Sequence, residues 1–158
     1  MTTYDTELIL HAVTITGTRS TGHRPLAEYA YLFATYLQPF TDNAHLYMGG
    51  AKGIDSLTLH WLAENTAAHL TVVVPGTVEQ QPTEAQQAIA RVRDRITEVV
   101  ELKAARLAAP AYHARNRWMV DRSELTIGFP RNGELDSGTW QTLNYTRDQG
   151  KPHLIVPV

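Results

Sequence analysis

The chain contains no cysteine. That excludes a disulfide framework, a thiolate nucleophile and zinc held by sulfur. No apolar run approaches the roughly 20 residues of a membrane span. The amino terminus, MTTYDTELIL, lacks the basic region and long apolar stretch of a secretory signal. Neither sign of charge is in excess: 14 Lys+Arg face 16 Asp+Glu, a formal net charge of -2. A protein coated in positive charge for non-specific duplex binding is thereby excluded, while a local basic patch is not. Linkers rich in Gly, Ser or Pro and internal repeats are also missing. These absences lead us to expect a cytoplasmic protein with no membrane partner. At 158 residues and 43% hydrophobic content, the chain is long enough to bury a core. A single domain over residues 1–158 is expected.

What is present is an alternation of short apolar runs with amphipathic segments. Residues 10–16, 45–48, 70–74, 125–129 and 153–156 read as strands. Residues 25–37, 54–65, 83–96, 112–121 and 137–149 read as helices, with Thr83 as an N-cap and Gly150 as a C′ residue. The stretch 97–102 stays open between a fourth strand and a longer helix. Alanines at 104, 105, 108 and 109 pull towards helix until Pro110. Most strand candidates are continuous apolar runs, the mark of a parallel sheet covered on both faces. The expected fold is a single doubly wound, Rossmann-like α/β domain, with a mostly parallel sheet flanked by helices. Such sheets bind ligands beyond the carboxyl ends of their strands, where the topology switches.

Three loops follow strands in this way. In the first, Gly17 permits a tight turn, Arg19 offers a cationic fork suited to phosphate, and Thr18 and Ser20 offer hydroxyls. The second, Gly49-Gly50-Ala51-Lys52-Gly53-Ile54-Asp55, has three glycines in five positions and runs into a helix. Amides at a helix start make an anion site, Lys52 adds a charge, and Asp55 is placed to cap amides or hold a ligand hydroxyl. It is neither a dinucleotide fingerprint nor a Walker loop. The third is Ser137-Gly138-Thr139, preceded by Asp136, again at a helix start. Each loop also has a plain reading as a capping turn.

A fourth element joins Tyr112, Arg115, Asn116 and Arg117 near the start of a helix. Tyr112 and Trp118 either stack on a base or fill the core. Seven histidines are scattered without ligand spacing, so no metal and no cofactor is expected, and His60 reads as packing. Arg91, Arg93 and Arg95 read as a solvated face. Tyr29, Tyr31, Phe33 and Tyr36 divide between core, surface and a subunit contact, which favours a homodimer.

Taken in order, the segments ITGTRS (15–20), MGGAKGIDSLTLH (48–60), YHARNRWMVDRSELTIGF (112–129) and SGTWQTLNYTRDQGKPHLIVPV (137–158) resemble the SLOG superfamily of Rossmann-like proteins. The nearer resemblance is to the DprA/Smf DNA-processing family, the more distant one to the LOG phosphoribohydrolases. The resemblance implies a pocket for a phosphate or nucleotide. It would be built from Gly17, Arg19, Gly49, Gly50, Lys52, Gly53, Asp55, Arg115, Asn116, Ser137, Gly138 and Thr139. In the DprA branch it implies a domain that binds single-stranded DNA and self-associates. In the LOG branch it implies removal of a base from a nucleoside monophosphate, with Arg115 and Met119 matching that motif and Asp55, Asp136 and Glu134 as candidate carboxylates. That branch also needs a glutamate where this chain has Thr142. The expected partner is thus a nucleotide or nucleotide-derived small molecule. Single-stranded DNA is the alternative, and N-glycosidic hydrolysis is a third reading.

Overall fold

A computed structural model describes residues 11–135 and 137–158. Over these residues the chain runs β1 (Ala12–Gly17), α1 (Leu26–Tyr36), β2 (His45–Gly49), α2 (Ile54–Asn65), β3 (His69–Val74), α3 (Thr83–Arg91), β4 (Ile96–Glu101), α4 (Ala109–Asp121), β5 (Leu125–Phe129), α5 (Gly138–Asp148) and β6 (His153–Ile155). The six strands form one parallel sheet in the order β4-β3-β2-β1-β5-β6. From β1 the chain steps outward one strand at a time to β4. It then crosses back through α4 to place β5 on the other side of β1. The doubly wound fold expected from the alternation is the one observed, with its switch point between β1 and β5. Leu10 and the residues before it, and Asp136, lie outside the described residues.

The two faces of the sheet differ in chemistry. Val13, Ile15, Leu46, Met48, Leu70, Val72, Ile127 and Phe129 join Tyr29 and Phe33 of α1 and Leu59 and Leu62 of α2 in one buried apolar cluster. The Phe33 and Phe129 rings meet edge to face at 5.4 Å, a geometry worth about 1 kcal/mol beyond its area. The alternate positions, Thr14, Thr71 and Thr126, are equally buried. Thr14 Oγ1 and Ser123 Oγ share a hydrogen bond of 2.6 Å, and Thr146 Oγ1 donates to Thr126 Oγ1 at 2.8 Å. Paired hydroxyls let a polar face be buried against α4 and α5 without a desolvation penalty. β1 therefore alternates apolar and hydroxyl residues instead of being apolar throughout.

Several boundaries differ from the sequence expectation. The helix begun at residue 83 ends at Arg91, and residues 96–101 are strand β4. Thr83 is the first residue of α3, not its cap; Pro82 takes that place without a side-chain bond. Of the alanines after β4, Ala104, Ala105 and Ala108 lie outside helix, and Ala109 is the first residue of α4. Leu102, Lys103 and Ala104 donate their amides to the carbonyls of Val74, Gly76 and Pro75. These bonds tie the exit of β4 to the exit of β3. Pro110 lies in the first turn of α4, where its missing N–H leaves no bond unmade. The basic run is not a uniform solvated face. Arg95 donates from Nε to Ala63 O at 3.2 Å and from Nη2 to Thr66 O and Ala68 O at 2.9 and 3.2 Å, satisfying carbonyls at the end of α2. His60 pairs with Glu64 at 3.2 Å on the surface instead of packing inside.

Candidate functional site

At the switch point the loop after β1 leaves for α1 and the loop after β5 leaves for α5. A cleft of about 410 Å³ opens between them. Its wall includes Gly17, Thr18, Arg19 and Ser20 from the first loop, and Ala51 and Asp55 from the second. Tyr112, Arg115 and Asn116 of α4 and Ser137, Gly138 and Thr139 of the third loop complete the expected set. Gly49, Gly50, Lys52 and Gly53 are not among the lining residues.

The glycines of the second loop do different work from an anion cradle. Gly53 has φ +76°, and a Cβ there would stand 2.5 Å from Thr18 O. Its freedom lets the second loop press against the first, and Ile54 N donates to Thr18 O at 3.0 Å across that contact. A Cβ on Gly49 would meet Arg115 Nη1 at 2.5 Å and Asp55 Oδ2 at 2.9 Å. Gly49 thus makes room for two ionisable side chains. Lys52 is exposed.

Thr18 is buried and structural. Its amide donates to Phe129 O at 3.0 Å, and its Oγ1 accepts from Ser20 N at 3.1 Å. Ser20 Oγ accepts from Arg131 Nη1 at 2.6 Å. That bond links the loops after β1 and β5. Ser137 caps α5, its Oγ accepting from Trp140 N at 3.4 Å. The plain capping reading therefore holds for this hydroxyl, although the residue also lines the cleft.

Asp55 and Arg115 form the floor, 8% and 4% exposed. Burial pushes the Asp55 carboxyl up from its ordinary 3.8 to about 7, against the opposing pull of Arg115, the Ala51 amide and Arg19. Burial likewise lowers the Arg115 pKa, opposed by Asp55. Ala51 N donates to Asp55 Oδ2 at 3.3 Å. Arg115 is steered by two further bonds: Nη1 donates to Val73 O at 3.3 Å and Nε to Asn116 Oδ1 at 2.8 Å. Above this floor, the Cζ atoms of Arg19 and Arg115 lie 5.0 and 5.9 Å from the centre of the Tyr112 ring. Cations at that range are held by the ring quadrupole.

Tyr112, Arg115 and Asn116 lie one to two turns into α4 and not at its start. Ala109 and His113 also line the cleft, and with Tyr112 and Asn116 they form a stripe at spacings of three and four. That periodicity is the signal by which His113 was findable. Glu134, one of the candidate carboxylates, lines it too, as does Gln141, which carries no comparable signal. Trp118 is elsewhere, 3.7 Å beneath Arg122 Cζ and edge-on to Tyr47. The cleft offers guanidinium groups for anionic oxygen, an aromatic face for a base, and a carboxyl that titrates near neutrality. No helix among the described residues is long and apolar enough to cross a membrane.

Comparisons with known proteins agree with the fold. The family model described as DNA recombination-mediator protein A matches residues 5–158. Among solved structures, the chain is similar to DNA processing protein A (DprA) from Streptococcus pneumoniae, with a TM-score of 0.71 and 19% identity. That match covers 94% of this chain and 50% of the other, so this chain spans about half the length of that protein. At this identity the likeness speaks for the fold. A comparison with curated proteins finds no match. With the family pattern running through nearly all of its residues, the chain belongs to the DNA recombination-mediator protein A family.

Proposed function

We propose that the cleft binds single-stranded DNA, with a backbone phosphate against Arg19 and a base against Tyr112. The observation that carries this reading is the placing of two guanidinium groups within 5.0 and 5.9 Å of one tyrosine ring. Single strands are bound by this combination, cationic groups for the backbone and aromatic faces for exposed bases. Family membership supports it, and the net charge of -2 is no obstacle because the cations are local. The test is a mobility shift with oligo-dT at stepwise salt. Binding that weakens steeply with salt supports the reading. A shift that is absent or indifferent to salt contradicts it.

A free nucleotide is the second reading, favoured by the closed floor that Asp55 and Arg115 give the cleft. A nucleotide at 100 times its dissociation constant raises stability by about 2.7 kcal/mol, which a thermal-shift screen detects. Hydrolysis of a glycosidic bond is less well supported. Thr142, at the position of the LOG glutamate, spends its hydroxyl on Gly138 O at 2.8 Å within α5. Asp55 and Glu134 are then the carboxyls that line the cleft, and release of free base from nucleoside monophosphates is the test of either. We further propose self-association through α1, whose Leu26 and Tyr31 are 71% and 72% exposed. Light scattering reads the oligomeric state.

A further inference from the structure

A second hollow of about 270 Å³ lies between α4 and α5. It shares His113, Asn116 and Gln141 with the main cleft, so the two lie side by side with these residues between them. Its own lining is Arg117, Thr142, Asn144, Tyr145 and Asp148. The chemistry differs from that of the cleft. Asn116, Gln141 and Asn144 carry amides, which offer donors and acceptors side by side, as the edge of a nucleobase does. Tyr145 adds an aromatic ring, fixed by its hydroxyl donating to Asp121 Oδ1 at 2.6 Å. Arg117 supplies one exposed cation.

Asn116 is the hinge between the spaces. Its Oδ1 accepts from Arg115 Nε at 2.8 Å on the floor of the cleft, while the same side chain borders the hollow. A chain of nucleotides seated at Arg19 and Tyr112 has this hollow as a contiguous neighbouring space. We propose that the α4–α5 hollow is a second subsite that takes the base of the adjacent nucleotide of a single strand. Amide groups read its edge, and the Tyr145 ring gives it a face. This rests on the reading of the cleft as a single-strand site and adds the path of the strand.

The experiment compares thymidine monophosphate with the dinucleotide pTpT by calorimetric titration. It uses the whole chain, Asn144→Ala, Tyr145→Ala and Arg19→Ala, with circular dichroism melts to confirm folding. In the unaltered chain pTpT binds about tenfold more tightly than the monophosphate, the scale of one stacked base. Asn144→Ala, the milder change at an exposed position, removes much of that gain and leaves monophosphate affinity unchanged. Tyr145→Ala does the same, and Arg19→Ala weakens both ligands. Equal affinity for the two ligands in the unaltered chain overturns the second subsite. So does a dinucleotide advantage that survives both groove changes. Failure of both ligands to bind at all sinks the cleft reading itself, and the two failures are thereby told apart.

Discussion

Asp55 and Arg115 converge on the one position in β2 that has no side chain. A Cβ on Gly49 would stand 2.9 Å from the carboxyl oxygen of one and 2.5 Å from the guanidinium of the other. We predict that Gly49→Ala destabilises the chain by about 1–3 kcal/mol, the usual penalty for overfilling a packed site. It should also weaken ligand binding, because Arg115 has to leave its bond to Val73 O. Chemical denaturation and ligand titration measure the two effects. A neutral substitution would mean that the pair has slack to move.

The Asp55 carboxyl gives stability a definite slope with pH. Its pKa is raised on folding, from 3.8 to about 7, because burial disfavours the charged form. Over that window the folded chain keeps a proton that the unfolded chain releases. Stability from this group is therefore fully present at acid pH and is lost as pH rises towards about 7. Asp55→Asn should flatten this dependence. Urea unfolding between about pH 5 and pH 8, with and without the substitution, reads it. Parallel curves for the two chains would contradict the assignment.

Arg95 supports α2 from outside the site. Arg95→Ala leaves carbonyls of Ala63, Thr66 and Ala68 without this donor, and we predict a loss of about 1–3 kcal/mol. Arg91→Ala and Arg93→Ala, on the same basic run, should stay within about 0.5 kcal/mol. Three thermal melts decide it. Equal effects from all three would return the run to a plain solvated face.

How much was legible in the sequence follows from which forces acted locally. The apolar runs of β3 and β5 stand out because both faces of those strands are buried. β4 was ambiguous because it is an edge strand, half-exposed, with no clear period. The alanine-rich stretch beyond it looks helical, but its start is tied down by bonds from Leu102, Lys103 and Ala104 to Val74, Gly76 and Pro75. Those partners are distant in sequence and leave no local trace. At the site, the loop after β1 was legible as a tight turn carrying Arg19 and the loop after β2 as a glycine-rich turn, but not the division of labour between them. Gly49 and Gly53 serve contacts with Arg115 and Thr18, which only the fold brings near. Arg131 reaches Ser20 from 111 positions away, and nothing around Arg131 distinguishes it from a surface arginine.

The most direct test of single-strand binding in the cleft is the oligo-dT dissociation constant of the unaltered chain and of Arg19→Ala across a salt series. Arg19 is exposed at the mouth, so its loss should leave the melting curve unchanged. We predict weaker binding by Arg19→Ala at every salt concentration. The slope of log affinity against log salt should become shallower by about 0.7, the share of one phosphate contact on a single strand. Identical constants and slopes for the two chains would place the DNA elsewhere, or nowhere, on this protein.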